Sequence, residues 1–279
     1  MRENKVFLQI NNTNDNKKLI DYLLEFKVSK SYINNLFNLK KISLNEQILK
    51  NGEIVLKTND IIEIDLPIDS VEPYKKNIEI LYEDSFIIVV NKPANILVHS
   101  DGLSKETMTN AVNWYFMKKK ELCCAYPIHR LDYETTGILI FAKNRLALSY
   151  LSVAIESHEV KKEYVCLCRG SFNKLEGEIN SSIGKDRHSN KQIVSKTGKP
   201  ANSKYKVIKN GKISKVKVQI DHGRKHQIRV HLASINHPII GDKLYGKNET
   251  EGLKLHFHKV EFRHPVTKKK IRIECKEDF

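Results

Sequence analysis

Within the first 70 residues, the apolar positions change from helical to strand-like spacing along the chain. Leucines and isoleucines at three- and four-residue intervals predict a helix over 17–26, and a second helix is expected over about 32–39. Runs rich in isoleucine and valine predict short strands at 42–44, 54–56 and 61–66. Prolines then interrupt the pattern, so we expect residues 1–68 to form a small domain and residues 69–77 to form a linker.

The rest of the chain, residues 78–279, combines strand-like and helical patterns in an irregular order. Alternating or continuous apolar runs predict strands at 78–82, 86–90, 137–142, 163–168, 215–220, 253–263 and 270–275. Amphipathic patterns predict helices at 107–118, 146–155 and 226–235. Because strands and helices do not alternate regularly, as they do in a doubly wound sheet, we expect a mixed α/β or α+β domain.

The chain carries a net charge of +15, and this charge is unevenly distributed. Residues 1–70 contain 10 basic and 10 acidic residues, so the whole excess lies in residues 71–279. The segment 185–217 alone contains 11 lysines and arginines against a single acid, Asp186. Such an excess favours a polyanionic partner, although a lysine-rich segment is equally typical of a solvated surface.

The apolar runs of this sequence are short. None approaches the roughly 18–20 uninterrupted apolar residues that a transmembrane helix requires. The run at 6–8 is too short for the core of a signal peptide, and no small-residue cleavage site follows it. We therefore expect a cytoplasmic protein that does not bind membranes.

The densest cluster of ionisable residues lies in the segment 129–143, where a polar loop leads directly into an apolar strand. The end of a rigid strand can hold a reactive carboxylate, such as that of Asp132, in a fixed geometry. The same residues could instead form an ordinary turn, in which Asp132 caps the backbone and Arg130 pairs with Glu134. The residue types alone leave both interpretations open.

This segment resembles the signature of the RluA-type RNA pseudouridine synthases, His-Arg-Leu-Asp followed by two variable residues, Thr, a small hydroxyl residue and Gly. Three further segments are similar to family motifs and follow in the family's order, at 91–99, 162–164 and 223–246. Thr136 stands where the family usually has Ser, and His222 where it usually has Thr. The resemblance covers residues 78–275. It implies a long, mainly antiparallel sheet flanked by helices and crossed by a basic cleft.

Residues 15–66 resemble the S-four (αL) RNA-binding domain that is often fused to these enzymes. Ser29-Lys30-Ser31 is close to the usual Ser-Arg-Ser of that domain, whereas Glu46 stands where its motif has glycine. Electrostatic attraction normally supplies most nonspecific affinity for nucleic acid. With no net charge, this region is therefore expected to bind RNA weakly or to make another contact.

The resemblance implies an isomerase that converts uridine to pseudouridine in RNA. The base is detached from ribose at nitrogen and rejoined through carbon 5, without redox change or group donor, so no cofactor is expected. Asp132 is implied as the central catalytic residue, either as a nucleophile or in assisting elimination of the base. Arg229 is implied to form an ion pair with Asp132. Tyr164 is implied to stack on the uracil and to act as the base at carbon 5.

The remaining implied residues contact RNA. A base inside a helix cannot be reached in place, so the target must be extruded or already unpaired. Arg130 is expected to stabilise the extruded state by stacking or by holding phosphate. The other implied substrate-binding residues are His129, Lys92, Arg224, Lys225 and Ile228.

Ribosomal RNA of the large subunit is the favoured substrate because the N-terminal region resembles ribosome-associated modules. Transfer RNA is an alternative substrate. We expect the protein to be a monomer. One alternative is a noncatalytic RNA-binding factor in ribosome assembly. Another is a metal-dependent nuclease. The histidine pairs at 222 and 226 and at 256 and 258 lack an obvious set of carboxylates or cysteines, so no metal site is expected.

Overall fold

The computed structural model describes residues 3–9, 15–189, 191–246 and 250–279. The N-terminal region forms a four-stranded antiparallel sheet and two helices. Its strands are β1 (Glu3–Gln9), β2 (Ile42–Leu44), β3 (Gln47–Ile48) and β4 (Ile61–Pro67), and its helices are α1 (Leu19–Leu24) and α2 (Lys30–Asn38). The strand order is β1-β4-β2-β3. Ser29 caps α2 by accepting a hydrogen bond from the backbone N–H of Tyr32.

Two features of this region differ from the sequence prediction. Residues 3–9 form a strand that pairs along the whole length of β4, where no strand was predicted. Residues 54–56 form only a single bridge, between Val55 and Lys18, instead of a strand. The core residues of β4 follow the expected alternation, since Ile62, Ile64 and Leu66 are buried and their neighbours are not.

The rest of the chain is built on one ten-stranded mixed sheet. The strands are β5 (Glu79–Glu83), β6 (Ile87–Lys92), β7 (Tyr126–Pro127), β8 (Thr136–Ala142), β9 (Lys161–Arg169), β10 (Glu176–Asn180), β13 (Asn202–Lys209), β14 (Ile213–Ile220), β15 (Leu255–Arg263) and β16 (Lys270–Glu274). A separate two-stranded ribbon consists of β11 (Ile183–Lys185) and β12 (Gln192–Val194). The helices are α3 (Met108–Lys118), α4 (Arg145–Glu156) and α5 (Gln227–Ser234).

The main path of this sheet runs β10-β13-β14-β9-β15-β8-β6-β5, with β16 beside β15 and β7 beside β8. Its pairings are antiparallel except for that between β8 and β15. The predicted mixed α/β fold with a long, mainly antiparallel sheet is therefore confirmed. The strands β10 to β13 were not predicted, because the first three are short, β13 is rich in lysine, and all four bury few apolar side chains.

The parallel contact between β8 and β15 depends on Gly137. This residue has a backbone φ of +108°, and a Cβ atom there would collide with the backbone carbonyl of Phe257. Only glycine allows this conformation and this approach together. The contact brings the loop before β8 beside the middle of the sheet, where the ring of Tyr164 on β9 packs against Phe257.

The N-terminal region packs against α4 and the turn between β15 and β16. The hydroxyl of Ser149 donates a hydrogen bond of 2.7 Å to the carbonyl oxygen of Lys27. The ammonium group of Lys268 lies over the rings of Phe26 and Tyr150, 5.3 and 4.0 Å from their centroids. In the described part of the chain, no helix is both long and apolar enough to span a bilayer.

Candidate active site

Asp132 lies in the loop between β7 and β8, at the edge of an open cleft of about 400 Å³. Its backbone carbonyl accepts a hydrogen bond from the N–H of Thr135, which closes the turn leading into β8. The side chain keeps 22% of its surface exposed. Among the described residues that line this cleft, Asp132 is the only carboxylate. The carboxylate of Asp132 is therefore accessible from the cleft.

The guanidinium group of Arg229 connects Asp132 to a second, buried carboxylate. Its Nη1 atom lies 3.4 Å from Oδ2 of Asp132. Its Nε and Nη2 atoms each donate a hydrogen bond of 2.8 Å to Asp242, whose side chain is fully buried. Burial opposes a charge on Arg229, but the bonds to Asp242 and the charge of Asp132 outweigh it and raise its pKa. The predicted contact with Asp132 exists, although Asp242 is the closer partner.

Asp242 is itself held by the backbone that surrounds it. Oδ1 accepts hydrogen bonds from the N–H groups of Leu244 and Tyr245, at 3.0 and 3.1 Å. A carboxylate with this many donors is fixed in orientation. It therefore fixes the plane of the Arg229 guanidinium, which in turn faces Asp132. The sequence analysis missed this residue, although it lies within the motif segment 223–246.

Tyr164 forms one wall of the cleft. Its ring stacks on Phe257 with a centroid distance of 4.5 Å and an interplanar angle of 10°. Burial, and then the charge of Asp132, raises the pKa of Tyr164 above its ordinary value of 10.0. The phenol is therefore neutral near pH 7. Ile228, another predicted contact, is 4% exposed and lines the same cleft.

The structure places two predicted substrate contacts behind the cleft. Lys92 is fully buried, and its ammonium group donates hydrogen bonds to the carbonyl oxygens of Pro93 and Tyr133 at 2.9 and 3.1 Å. Burial lowers the pKa of Lys92 to about 7, against an opposing effect of the Asp132 charge. These hydrogen bonds place the ammonium group beneath the Asp132 loop.

His129 is the second residue that does not line the cleft. Its Nε2 atom accepts a hydrogen bond of 3.2 Å from the N–H of Ile140, and its ring packs edge-on against Phe257. Desolvation of the ring, and then the charge of Lys162, lowers the pKa of His129 to about 3. The neutral imidazole of His129 faces inwards and holds β8 in place through its hydrogen bond with Ile140.

His226 is a cleft residue that the sequence analysis considered only as a metal ligand. It precedes α5 with a left-handed backbone φ of 56°, which turns its ring towards Asp132. Nε2 lies 4.0 Å from Oδ1 of Asp132, and Nδ1 lies 3.0 Å from the hydroxyl of Tyr245. That hydroxyl accepts a hydrogen bond from the N–H of Gln192 on β12. It can therefore donate its own proton to Nδ1, which leaves the proton of Nε2 facing Asp132.

Three predicted basic residues surround the opening of the cleft. Arg130 is exposed and lines it directly. Arg224 also lines it, and its Nε atom donates a hydrogen bond of 3.1 Å to the carbonyl oxygen of Pro200, which ties α5 to the lysine-rich segment. Lys225 is exposed beside His226. Their charges suit a polyanion that crosses the opening.

The imidazole of His226 and the carboxylates of Glu134 and Asp242 surround the pair of Asp132 and Arg229. No group of three or more His, Cys, Asp or Glu side chains in the described ranges is arranged to hold a metal ion. Asp132 instead contacts a guanidinium and an imidazole. A cleft with a carboxylate, an aromatic wall and a basic rim is typical of an enzyme that acts on an unpaired nucleotide of RNA.

Comparison with known proteins identifies this class more closely. The model of the RNA pseudouridylate synthase family matches residues 86–234. The matched part contains the Asp132 loop, Tyr164 and the whole of α5. The chain belongs to this family and is an RNA pseudouridine synthase, which is an isomerase.

Similar proteins occur in several bacteria. The uncharacterized RNA pseudouridine synthase YhcT of Bacillus subtilis is 36% identical over 278 residues, which cover 95% of this chain and 91% of the relative. Ribosomal large subunit pseudouridine synthase D of Borreliella burgdorferi is 36% identical over 235 residues, which cover 79% of this chain and 71% of that protein.

A solved structure shows the same fold. Human RNA Pseudouridylate Synthase Domain Containing 1 aligns with a TM-score of 0.63 at 23% identity, over 75% of this chain and 87% of the human chain. At this identity the likeness concerns the fold alone. It supports the mixed sheet as the common framework of the two proteins.

Proposed function

We propose that this pseudouridine synthase modifies uridines of large-subunit ribosomal RNA and that Asp132 is essential for the reaction. The relatives named ribosomal large subunit pseudouridine synthase D support the choice of RNA. The observation that carries the catalytic assignment is the accessible carboxylate of Asp132, held 3.4 Å from a buried arginine at the edge of a cleft. Transfer RNA is the alternative substrate to be tested.

In the proposed reaction, the target uridine is extruded into the cleft with its ribose beside Asp132. The carboxylate either attacks the sugar carbon as a nucleophile or removes a proton from the sugar, and the bond to nitrogen breaks. The free uracil rotates within the cleft and bonds to the sugar through carbon 5. This step displaces the carboxylate from the sugar in the nucleophilic route, whereas in the elimination route Asp132 returns the proton to the sugar. The proton on carbon 5 is then lost and the ring nitrogen released from the sugar gains one, which completes the product. The atoms balance without a cofactor.

Arg229 is proposed to orient Asp132 and to keep a positive charge beside it throughout this sequence. Its bidentate bonds to Asp242 leave Nη1 directed at the catalytic carboxylate. A guanidinium held by two parallel hydrogen bonds has little rotational freedom. We therefore assign Asp242 as a positioning residue that acts through Arg229.

Tyr164 is proposed to pack against the uracil. One face of its ring is covered by Phe257, and the residue also lines the cleft, so a flat base can extend the stack. Burial, and then the charge of Asp132, raises the pKa of Tyr164 and so disfavours the phenolate, the form that would accept the proton on carbon 5. This observation favours the stacking role over the role of base that the family resemblance also implies.

Affinity for RNA is proposed to come mainly from Arg130, Arg224 and Lys225 at the rim of the cleft and from the lysine-rich segment 185–217. The N-terminal residues 1–68 are proposed to form a separate S-four-like domain that adds a weaker contact. Because phosphate contacts release counterions, binding should weaken steeply as salt concentration rises. We propose that one chain carries all of these contacts, so that the enzyme acts as a monomer.

The test uses the purified protein with unmodified transcripts of large-subunit ribosomal RNA and of transfer RNA, without added metal or cofactor. Pseudouridine is mapped by carbodiimide labelling and primer extension, with Asp132→Asn as the matched variant. New signals at discrete uridines of the large-subunit RNA, absent with the variant, are expected. Signals on transfer RNA alone would overturn the substrate assignment. Equal signals with both proteins would overturn the role of Asp132.

A further inference from the structure

A second groove opens beside Asp132 and adjoins the catalytic cleft, with which it shares lining residues. The two share Arg130, Asp132 and His226, so Asp132 lies where they meet. The catalytic cleft is walled by Tyr164, whereas the second groove has further lining residues that the cleft lacks. These include the apolar side chains of Leu97, Val98 and Leu244 and the aromatic ring of Tyr133.

Tyr133 combines a fixed backbone with an exposed ring. Its carbonyl oxygen accepts hydrogen bonds from the ammonium group of Lys92 at 3.1 Å and from the N–H of Ile96 at 3.3 Å. The residue is nevertheless 51% exposed. A large apolar surface left in water is unfavourable, and a rigid backbone lowers the entropy lost when the ring is covered. Tyr133 is therefore well suited to bind a flat, apolar surface.

The charges around this groove indicate the chemistry of its ligand. Arg130 and Lys225 are exposed cations on its lining. Glu134 also lines it, but its carboxylate lies 4.0 Å from both Arg229 and Lys243, which offset its charge. A cationic rim above an apolar floor with an aromatic ring suits a nucleotide, whose phosphate and base have matching properties.

The position of the second groove next to the catalytic cleft indicates which nucleotide of the RNA it would bind. When the target uridine occupies the catalytic cleft, its ribose lies near Asp132. The RNA backbone then has to leave the cleft at that point, where the second groove begins. We propose that this groove binds an unpaired base directly next to the target uridine, stacked on Tyr133. The inference rests on the proposed function and adds a second nucleotide subsite to it.

The subsite can be tested by binding alone, without turnover. Asp132→Asn protein is titrated with short oligouridines that carry one 2-aminopurine, and stacking on tyrosine is read as quenching of its fluorescence. Adding Tyr133→Ala should abolish the quenching and weaken binding about tenfold, in the range for loss of one base–aromatic stack. Tyr133→Phe should retain both, because the ring and not the hydroxyl makes the contact.

Leu122→Ala serves as the control, since Leu122 is a similarly exposed apolar residue, 60% exposed, that follows α3 and lines neither groove. It should change neither signal. Quenching and affinity unchanged by Tyr133→Ala would overturn the subsite, as would a Tyr133→Phe variant as weak as Tyr133→Ala. If Tyr133-dependent quenching persists while wild-type protein modifies no RNA, the subsite stands and the proposed substrate or activity fails.

Discussion

The ion pair between Arg229 and Asp242 offers the sharpest test of how Asp132, the proposed catalytic carboxylate, is positioned. Asp242→Asn keeps the size of the side chain but removes its charge, so the buried guanidinium faces a neutral amide in place of its carboxylate partner. Removing one partner of a buried pair typically costs about 3–5 kcal/mol. For a chain of this size, the melting temperature should fall by roughly 6–15 °C.

Activity should fall as well, because the guanidinium is no longer held in the plane that faces Asp132. Misplacement of a catalytic group by about 1 Å can reduce the rate on the order of a hundredfold. We therefore expect Asp242→Asn to lower kcat by about this factor below its melting transition, with a much smaller change in KM. The assays are thermal unfolding monitored by circular dichroism, and kinetics of pseudouridine formation on the unmodified RNA substrate.

Glu134→Gln is the matched control for this prediction. The carboxylate of Glu134 also approaches Arg229, but at 4.0 Å and with 24% of its surface exposed. A partly exposed pair of this kind contributes about 0–1 kcal/mol, so the melting temperature should move little. The reasoning is refuted if Asp242→Asn unfolds and turns over like the wild type, or if both variants lose the same stability.

Three further predictions concern residues around the site and in the core. Lys92→Met should flatten the pH dependence of unfolding between about 7 and 10.5. Burial lowers the pKa of Lys92 to about 7 in the folded protein, compared with 10.5 in the unfolded chain. Between these two pH values the unfolded chain binds one more proton at Lys92 than the folded protein does, so the free energy of unfolding of the wild type rises with pH. Denaturant titrations at several pH values would measure this rise. In the folded protein the pKa of Asp84 is lowered to about 2. Burial alone would raise this pKa, but the hydrogen bonds that the carboxylate makes with His264 and its other partners outweigh burial. The ionised Asp84 carboxylate therefore stabilises the folded wild type, and this contribution should disappear as the pH falls from 3.8 towards 2. In acid unfolding experiments, the Asp84→Asn variant should not show this decrease in stability. His226→Phe should lower kcat roughly tenfold, equivalent to about 1.4 kcal/mol, with little change in RNA affinity measured by filter binding; unchanged kcat would exclude it as a positioning residue for Asp132.

The sequence alone was sufficient to predict the central strands and the segment that carries Asp132. Strands such as β6, β8 and β9 are nearly continuous or alternating apolar runs, and burial of such runs is a local property of the pattern. The lysine-rich strand β13 buries few side chains, so its sequence carries almost no such pattern. Its place in the sheet is determined by pairing with β14 and β10, which lie on either side of it.

The directions of the charged side chains were decided only by the tertiary structure. The motif segments contained Lys92, His129, Arg229 and Asp242, but their sequence does not say which of them face the cleft. Long-range packing buries Lys92 beneath the Asp132 loop and pairs Arg229 primarily with Asp242. Local periodicity reports how deeply a residue is buried, whereas the partner of a buried charge depends on which distant backbone the fold brings beside it.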